Sequence, residues 1–234
     1  MCLEVKKETI KKWAKVTMPD YKIRMGEMGY IIFKKDNDNF SISTDIRVQF
    51  RGTMLSFAGF SVVFNSFEHI FSEMLNKVVD KGISEKYYDG RNFVFVINDF
   101  YQSEYIFPES VKNEEELEIY LSEFLKCVKF YETEIFPKLT DIRFLAEFVG
   151  SVPFEQRSEI VVGGSFPLQL FKKIAILKWG NHPRYEEYKD ETQKLIELYA
   201  IKKPEKAEEV KLFQKGFEKL IYHLENEPNP FIKE

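Results

Sequence analysis

Residues 40–50, FSISTDIRVQF, alternate apolar and polar throughout, with Phe40, Ile42, Thr44, Ile46, Val48 and Phe50 on one side and Ser41, Ser43, Asp45, Arg47 and Gln49 on the other. A period of two is a β-strand with one face on a core and one in water, the arrangement of an antiparallel sheet. Such a sheet has to be covered, and the helical patterns in the rest of the chain are the available cover. The expected fold class is therefore α+β: an antiparallel sheet of about four or five strands in the N-terminal half packed on helices, followed by an all-helical C-terminal half.

The neighbouring patterns extend this reading. Ile10, Trp13, Ala14 and Val16 recur at near-helical spacing and Pro19 stops that helix; a short second helix is expected over Tyr21 to Glu27, with Gly29 at its exit. Tyr30 to Phe33 reads as a short strand, joined by the turn formers Lys35 to Asn39 to the alternating strand as a hairpin. Arg51-Gly52-Thr53 turns the chain into Met54 to Phe64, where Met54, Ala58, Phe60, Val62 and Phe64 share a face, completing a three-stranded meander. Asn65 or Ser66 is expected to cap a helix carrying Phe67, Ile70, Phe71, Met74, Leu75, Val78 and Val79, which lies across the meander and ends at Gly82. After the Asp89-Gly90 turn, Phe93 to Ile97 reads as a fourth strand and Tyr105 to Phe107 as a short fifth.

Past Pro108 the period becomes helical. Asn113 and Glu116 form a capping box in front of the stripe Leu117, Tyr120, Leu121, Phe124, Val128, Tyr131 and Ile135, which Pro137 ends. A short helix over Asp141 to Phe148 stops at Gly150; three more follow over Phe166 to Trp179, Pro183 to Tyr199 and Pro204 to Leu224, antiparallel because their joints are short. The proline-rich tail, residues 227–231, is loose or lies on the surface as an extended strand. The chain divides into a sheet region, 1–110, and a helical region packed on it, 111–234, as two domains or one continuous one, with 151–164 as the weakest point.

Composition narrows the function classes. Against 38 Asp and Glu stand 34 Lys and Arg, so no strong positive field draws in nucleic acid or an anionic membrane. No apolar run approaches the ~20 residues of a membrane span, and the charged start MCLEVKKETIKKWAK lacks the apolar stretch of a secretory signal. With Cys2 and Cys127 as its cysteines the chain has no disulfide framework, and a cytoplasmic location is expected. The 23 Phe belong mostly in the core, and any left outside mark a contact surface.

Candidates for chemistry are few. His69, His182 and His223 are far apart and none has metal-ligand spacing with another His or a Cys, so neither a metal nor a cofactor is expected. Cys127 sits on an apolar stripe, where burial raises a thiol pKa and makes it inert. Gly163, Gly164 and Ser165 before a helix could cradle an anion, but no phosphate-loop lysine follows directly, Lys172 and Lys173 coming two turns later; a turn capped by Ser165 is the plainer account. Asp45, Arg47, Gln49 and Arg51 form a polar row that either holds a ligand beneath the C-terminal helices or is the wet side of the sheet. Glu114, Glu115, Glu116 and Glu118 are either a surface for a basic partner or a soluble helix start. The joint Trp179 to Tyr185 is explained by Gly180 ending one helix and Pro183 starting the next. No candidate unites a nucleophile, an activating base and an orienting group, so catalysis has no positive case.

The order of Met25-Gly26-Glu27-Met28-Gly29-Tyr30, the meander, the acidic capped helix ending in Ile135-Phe136-Pro137-Lys138-Leu139, then Lys172 to Leu177 and Gly180-Asn181-His182-Pro183-Arg184-Tyr185 resembles uncharacterised bacterial α+β proteins grouped in domain-of-unknown-function families. Some of these are suspected of being immunity proteins that neutralise polymorphic toxins. The resemblance, with the lack of any catalytic constellation, implies a non-catalytic protein-interaction protein, immunity-type or adaptor, whose partner is another protein; the charge balance and the lack of a long apolar run argue against nucleic acid and membrane. The alternative is a small-molecule-binding protein or enzyme with a site between the sheet face and the C-terminal helices.

Overall fold

A computed structural model describes residues 3–49, 54–87, 93–95, 100–103, 107, 110–156 and 160–232. In chain order they form α1 (Leu3–Thr17), β1 (Lys22–Met25), a 3-10 turn (Glu27–Gly29), β2 (Tyr30–Asp36), β3 (Phe40–Gln49), β4 (Met54–Phe64), α2 (Asn65–Val78), α3 (Lys81–Tyr87), β5 (Phe93–Phe95), α4 (Glu114–Phe130), a π-helical turn (Tyr131–Ile135), α5 (Phe136–Leu139), α6 (Ile142–Val149), β6 (Ile160–Val162), α7 (Leu168–Trp179), α8 (Tyr185–Lys202), a 3-10 turn (Pro204–Lys206) and α9 (Ala207–Asn226). The chain makes two compact units, residues 1–63 with 94–137 and residues 64–93 with 138–234. The α+β class is as expected from the sequence.

The first unit is built on the meander β1-β2-β3-β4. Phe40, Ile42, Thr44, Ile46 and Val48 of β3 are buried and the alternate residues half-exposed, so the sequence period is realised along the whole strand. Antiparallel pairing with β2 sets Tyr30 opposite Arg47 and Ile32 opposite Asp45. The turn is closed by Asn37, whose Oδ1 accepts from the amides of Asn39 and Phe40. On the core face Phe33 and Phe57 meet Phe124 of α4, and Phe60 packs against Tyr131 and Phe136 with ring centroids 4.5 and 5.4 Å apart.

Three expectations for this unit are corrected. The short helix over Tyr21 to Glu27 is instead β1, paired antiparallel with β2 from Lys22↔Lys34 to Met25↔Ile31. Four residues of alternating exposure satisfy more backbone groups as a sheet edge than as a single helical turn. Gly29 does adopt a left-handed φ of +90°, but at the entry to β2, where an added Cβ would lie 2.1 Å from the Val48 carbonyl oxygen. Along β4, Ala58 is exposed while Leu55, Gly59, Phe60, Val62 and Phe64 are buried. Gly59, at φ +97°, places two consecutive residues inward, so Met54 and Ala58 do not share the face of Phe60; a one-residue slip exchanges the faces of a strand. Finally, Pro137 does not end the long helix. Without an amide to donate, it follows a π-helical turn in which the Phe136 amide reaches back to the Tyr131 carbonyl, and α5 continues to Leu139.

The capping box before α4 forms in shifted register. Asn113 Oδ1 accepts from the Glu116 amide, and the Glu116 carboxylate accepts from the amide of Lys112 rather than of Asn113. The whole stripe from Leu117 to Ile135 is buried. Lys6 of α1 is buried as well, its Nζ donating to the Val111 carbonyl at 2.6 Å, and burial lowers its pKa against the opposing influence of Glu116.

The second unit is a helical assembly around α7, which buries Leu168, Phe171, Ile174, Ala175, Ile176, Leu177 and Trp179 on nearly all sides. Helices α6, α8 and α9 pack on it, and α2 packs on α9. Gly180 has an ordinary helical φ; its role is close approach, since a Cβ there would lie 2.3 Å from Ala146 Cβ of α6. Helix α2 starts after Phe64 without a side-chain cap from Asn65 or Ser66, and Gly82 lies inside α3 rather than ending α2. Helices α8 and α9 are antiparallel, as expected: Tyr185 at the start of α8 reaches Glu225 at the end of α9, and Tyr199 meets Phe213 at the other end. The tail folds back as a turn, Asn229 Nδ2 donating to the Trp179 carbonyl and the Phe231 ring resting on Phe67 and Trp179.

Candidate functional site

The polar row of β3 is assembled from within. The Arg47 guanidinium lies 5.0 Å from the centroid of the Tyr30 ring, its cross-strand neighbour. With the Gln49 amide oxygen turned toward it, Arg47 donates over 2.6 and 2.7 Å. Asp45 Oδ1 is buried without a hydrogen-bond partner, and burial pushes this carboxyl up from its ordinary value while Arg47 opposes the shift. Arg51 lies outside the described residues, as do Phe50, the turns at 51–53 and 89–90, and residues 96–97 and 105–106 of the two short expected strands.

The anion cradle does not assemble. Helix α7 begins at Leu168 with Pro167 before it and no side-chain cap, so Ser165 is not its cap and Gly163 and Gly164 stand apart from its first amides. The Ser165 amide is already given to the Tyr87 carbonyl at 3.1 Å. Lys172 is buried in α7, and desolvation lowers the pKa of Lys173 beside it. Of the α4 acids, Glu114, Glu115 and Glu118 are exposed, whereas Glu116 is taken up by the capping box.

Cys127 is buried and free, and burial raises its thiol pKa. On the same helix Glu123 accepts from Tyr101, Ser103 and Lys126, tying residues 101–103 to α4; desolvation by burial pushes the Tyr101 phenol up to about 12. Among the described residues no three His, Cys, Asp or Glu gather as a metal site. His182 is held as a structural group: its Nδ1 accepts from the Arg184 amide at 3.1 Å, so it helps start α8. Burial lowers its pKa, with Glu147 3.8 Å away raising it and Arg184 lowering it.

The feature that residue types did not single out is a groove of about 640 Å³ between α8 and α9. Steps of one helical turn bring Lys189, Gln193 and Glu197 to it from α8, and Gln214, Glu218, Tyr222 and Asn226 from α9. Ile196 and Phe217 are its buried floor and Ile221 is half-buried. Ile201, one turn beyond Glu197, and Tyr222 are 77% and 68% exposed. Lys189 is bound to Glu186 and, at 3.5 Å, to Glu225, whose carboxylate also accepts from the Tyr185 hydroxyl. The available signal was the spacing of Gln214, Glu218 and Tyr222 along the flank of the buried stripe of α9, but only helix pairing turns that flank into a concavity.

Among the described residues no helix is long and apolar enough to cross a membrane. No family model, no curated protein and no solved structure matches this chain.

Proposed function

We propose that this chain is a non-catalytic protein-interaction protein, of the immunity or adaptor kind, and that it meets its partner through the α8–α9 face. The observation carrying the reading is the open groove between these helices, with Tyr222 in its lining and Ile201 one helical turn beyond its α8 row, both standing in water. Single exposed apolar residues are ordinary on a protein surface; here Tyr222 lines the concavity and Ile201 follows its α8 row by one turn, and a Tyr on such a rim is the residue type that anchors protein interfaces. The small-molecule alternative has one observation in its favour, the unpartnered Asp45 Oδ1, but its other anchor, Arg47, is already engaged by Gln49 and Tyr30.

The test is a tagged pull-down from the native cells, comparing the wild-type chain with the Ile201→Glu, Tyr222→Ala double variant. One protein retained in near-stoichiometric amount by the wild type and lost from the variant, with both chains melting alike, is the expected result. Equal retention by both, or no protein retained, overturns the reading.

A further inference from the structure

We infer that the α8–α9 groove takes an amphipathic helix of a partner protein, whose apolar face is flanked by Lys or Arg. The inference rests on the protein-binding reading and names the chemistry of the partner. The groove lining presents one lysine, Lys189, against three glutamates, Glu197, Glu218 and Glu225. Lys189 is already held by Glu186 and Glu225 and lies 5.3 Å from the centroid of the Tyr185 ring. Among the described residues Glu197 accepts from the Gln193 side-chain amide at 3.1 Å, and neither Glu197 nor Glu218 is ion-paired. Each comes from a different helix, so two carboxylates border the apolar floor of Ile196, Phe217 and Ile221, Glu218 lying also on an adjoining concavity with Lys77, Lys219 and His223.

That charge disfavours an acidic segment, nucleic acid or an anionic lipid surface, and matches a cationic one. The shape chooses a helix over a strand. An added strand needs unpaired backbone groups along a sheet edge, and the flanks of two helices offer none; a helix laid in a groove needs an apolar floor. The lining of α9 runs from Gln214 to Asn226, about 18 Å at 1.5 Å per residue, or about three turns of a docked helix.

The experiment uses the full chain and two synthetic amphipathic helical peptides with the same apolar stripe, one flanked by lysines and one by glutamates, read by fluorescence anisotropy. The basic peptide is expected to bind about tenfold or more tightly than the acidic one, with the order reversed in a Glu197→Lys, Glu218→Lys double variant. The same reversal on α4, Glu114→Lys with Glu118→Lys, should leave the basic peptide's affinity unchanged. Equal binding of the two peptides, no binding of either, an unchanged order in the groove variant, or an equal loss in the α4 variant overturns the inference. A native partner lost from the Ile201→Glu, Tyr222→Ala chain but retained by the Glu197→Lys, Glu218→Lys chain refutes the charge assignment and leaves protein binding standing. A partner indifferent to both variants refutes both.

Discussion

The two compact units use aromatic side chains and polar faces in different ways. In the first, Phe33, Phe57, Phe60, Phe124, Tyr131 and Phe136 form a connected set of rings on one side of the sheet. On its other side Arg47 finds partners in Gln49, two residues along, and in Tyr30 across the ladder. In the second, Phe67, Phe71, Trp179 and Phe231 pack together, yet Ile201 and Tyr222 beside the α8–α9 groove remain in water. A strand's polar side chains have neighbours on both sides and can satisfy one another, as Arg47 is satisfied, although Asp45 Oδ1 in the same row stays without a hydrogen-bond partner. Between α8 and α9, Lys189 and Tyr185 reach Glu225 at one end of the groove, while Glu197 and Glu218 lie farther along it without such a bridge among the described residues.

Core truncations should cost the most: Phe60→Ala in the first unit and Phe71→Ala in the second are each expected to destabilise the protein by about 3–5 kcal/mol in chemical denaturation, since both rings are buried and leave cavities. Gly29→Ala should cost about 2–4 kcal/mol, because the backbone conformation disfavours a Cβ and the Val48 carbonyl occupies its place. Asn113→Ala removes the acceptor for the Glu116 amide and should cost about 1 kcal/mol.

Histidine titration gives a direction with a sign that can be checked. Burial lowers the folded-state pKa of His182 and also that of His223, near Lys77. The unfolded chain therefore binds more protons than the folded one below the ordinary histidine value of 6.5, and stability present above that pH should fall as pH drops through the lowered values. His182→Asn retains a side-chain oxygen able to accept from the Arg184 amide and should flatten that slope in pH-dependent melting; an unchanged slope would assign it to other groups. The smallest stability effect belongs to the groove rim: Tyr222→Ala should shift stability by no more than about 0.5 kcal/mol while weakening partner binding.

Much of the fold was legible because period and caps are local signals. The alternation of residues 40–49, the α4 stripe, the Asn113 cap and the order of α7, α8 and α9 follow from spacing alone. Expectations failed where tertiary pairing overrides a short pattern. Lys22–Met25 becomes a strand because β2 offers it a ladder, and Gly59 changes which residues of β4 face inward. The candidate site was less legible. Sequence reading favoured residues with recognisable chemistry, such as Asp45, Arg47, Glu115, Gly163 and Ser165. The groove instead draws ordinary residues from α8 and α9, brought together by packing across a joint that no motif marks.

Hydrogen–deuterium exchange of the full chain, alone and with a protein retained in the pull-down, tests most directly the proposal that the α8–α9 face binds a partner. Slowed exchange is expected in peptides covering Tyr185–Lys202 and Ala207–Asn226, with Phe40–Gln49 and the start of α4 unchanged. Protection confined to Phe40–Gln49 or to Glu114–Phe130, with α8 and α9 unaffected, would contradict it.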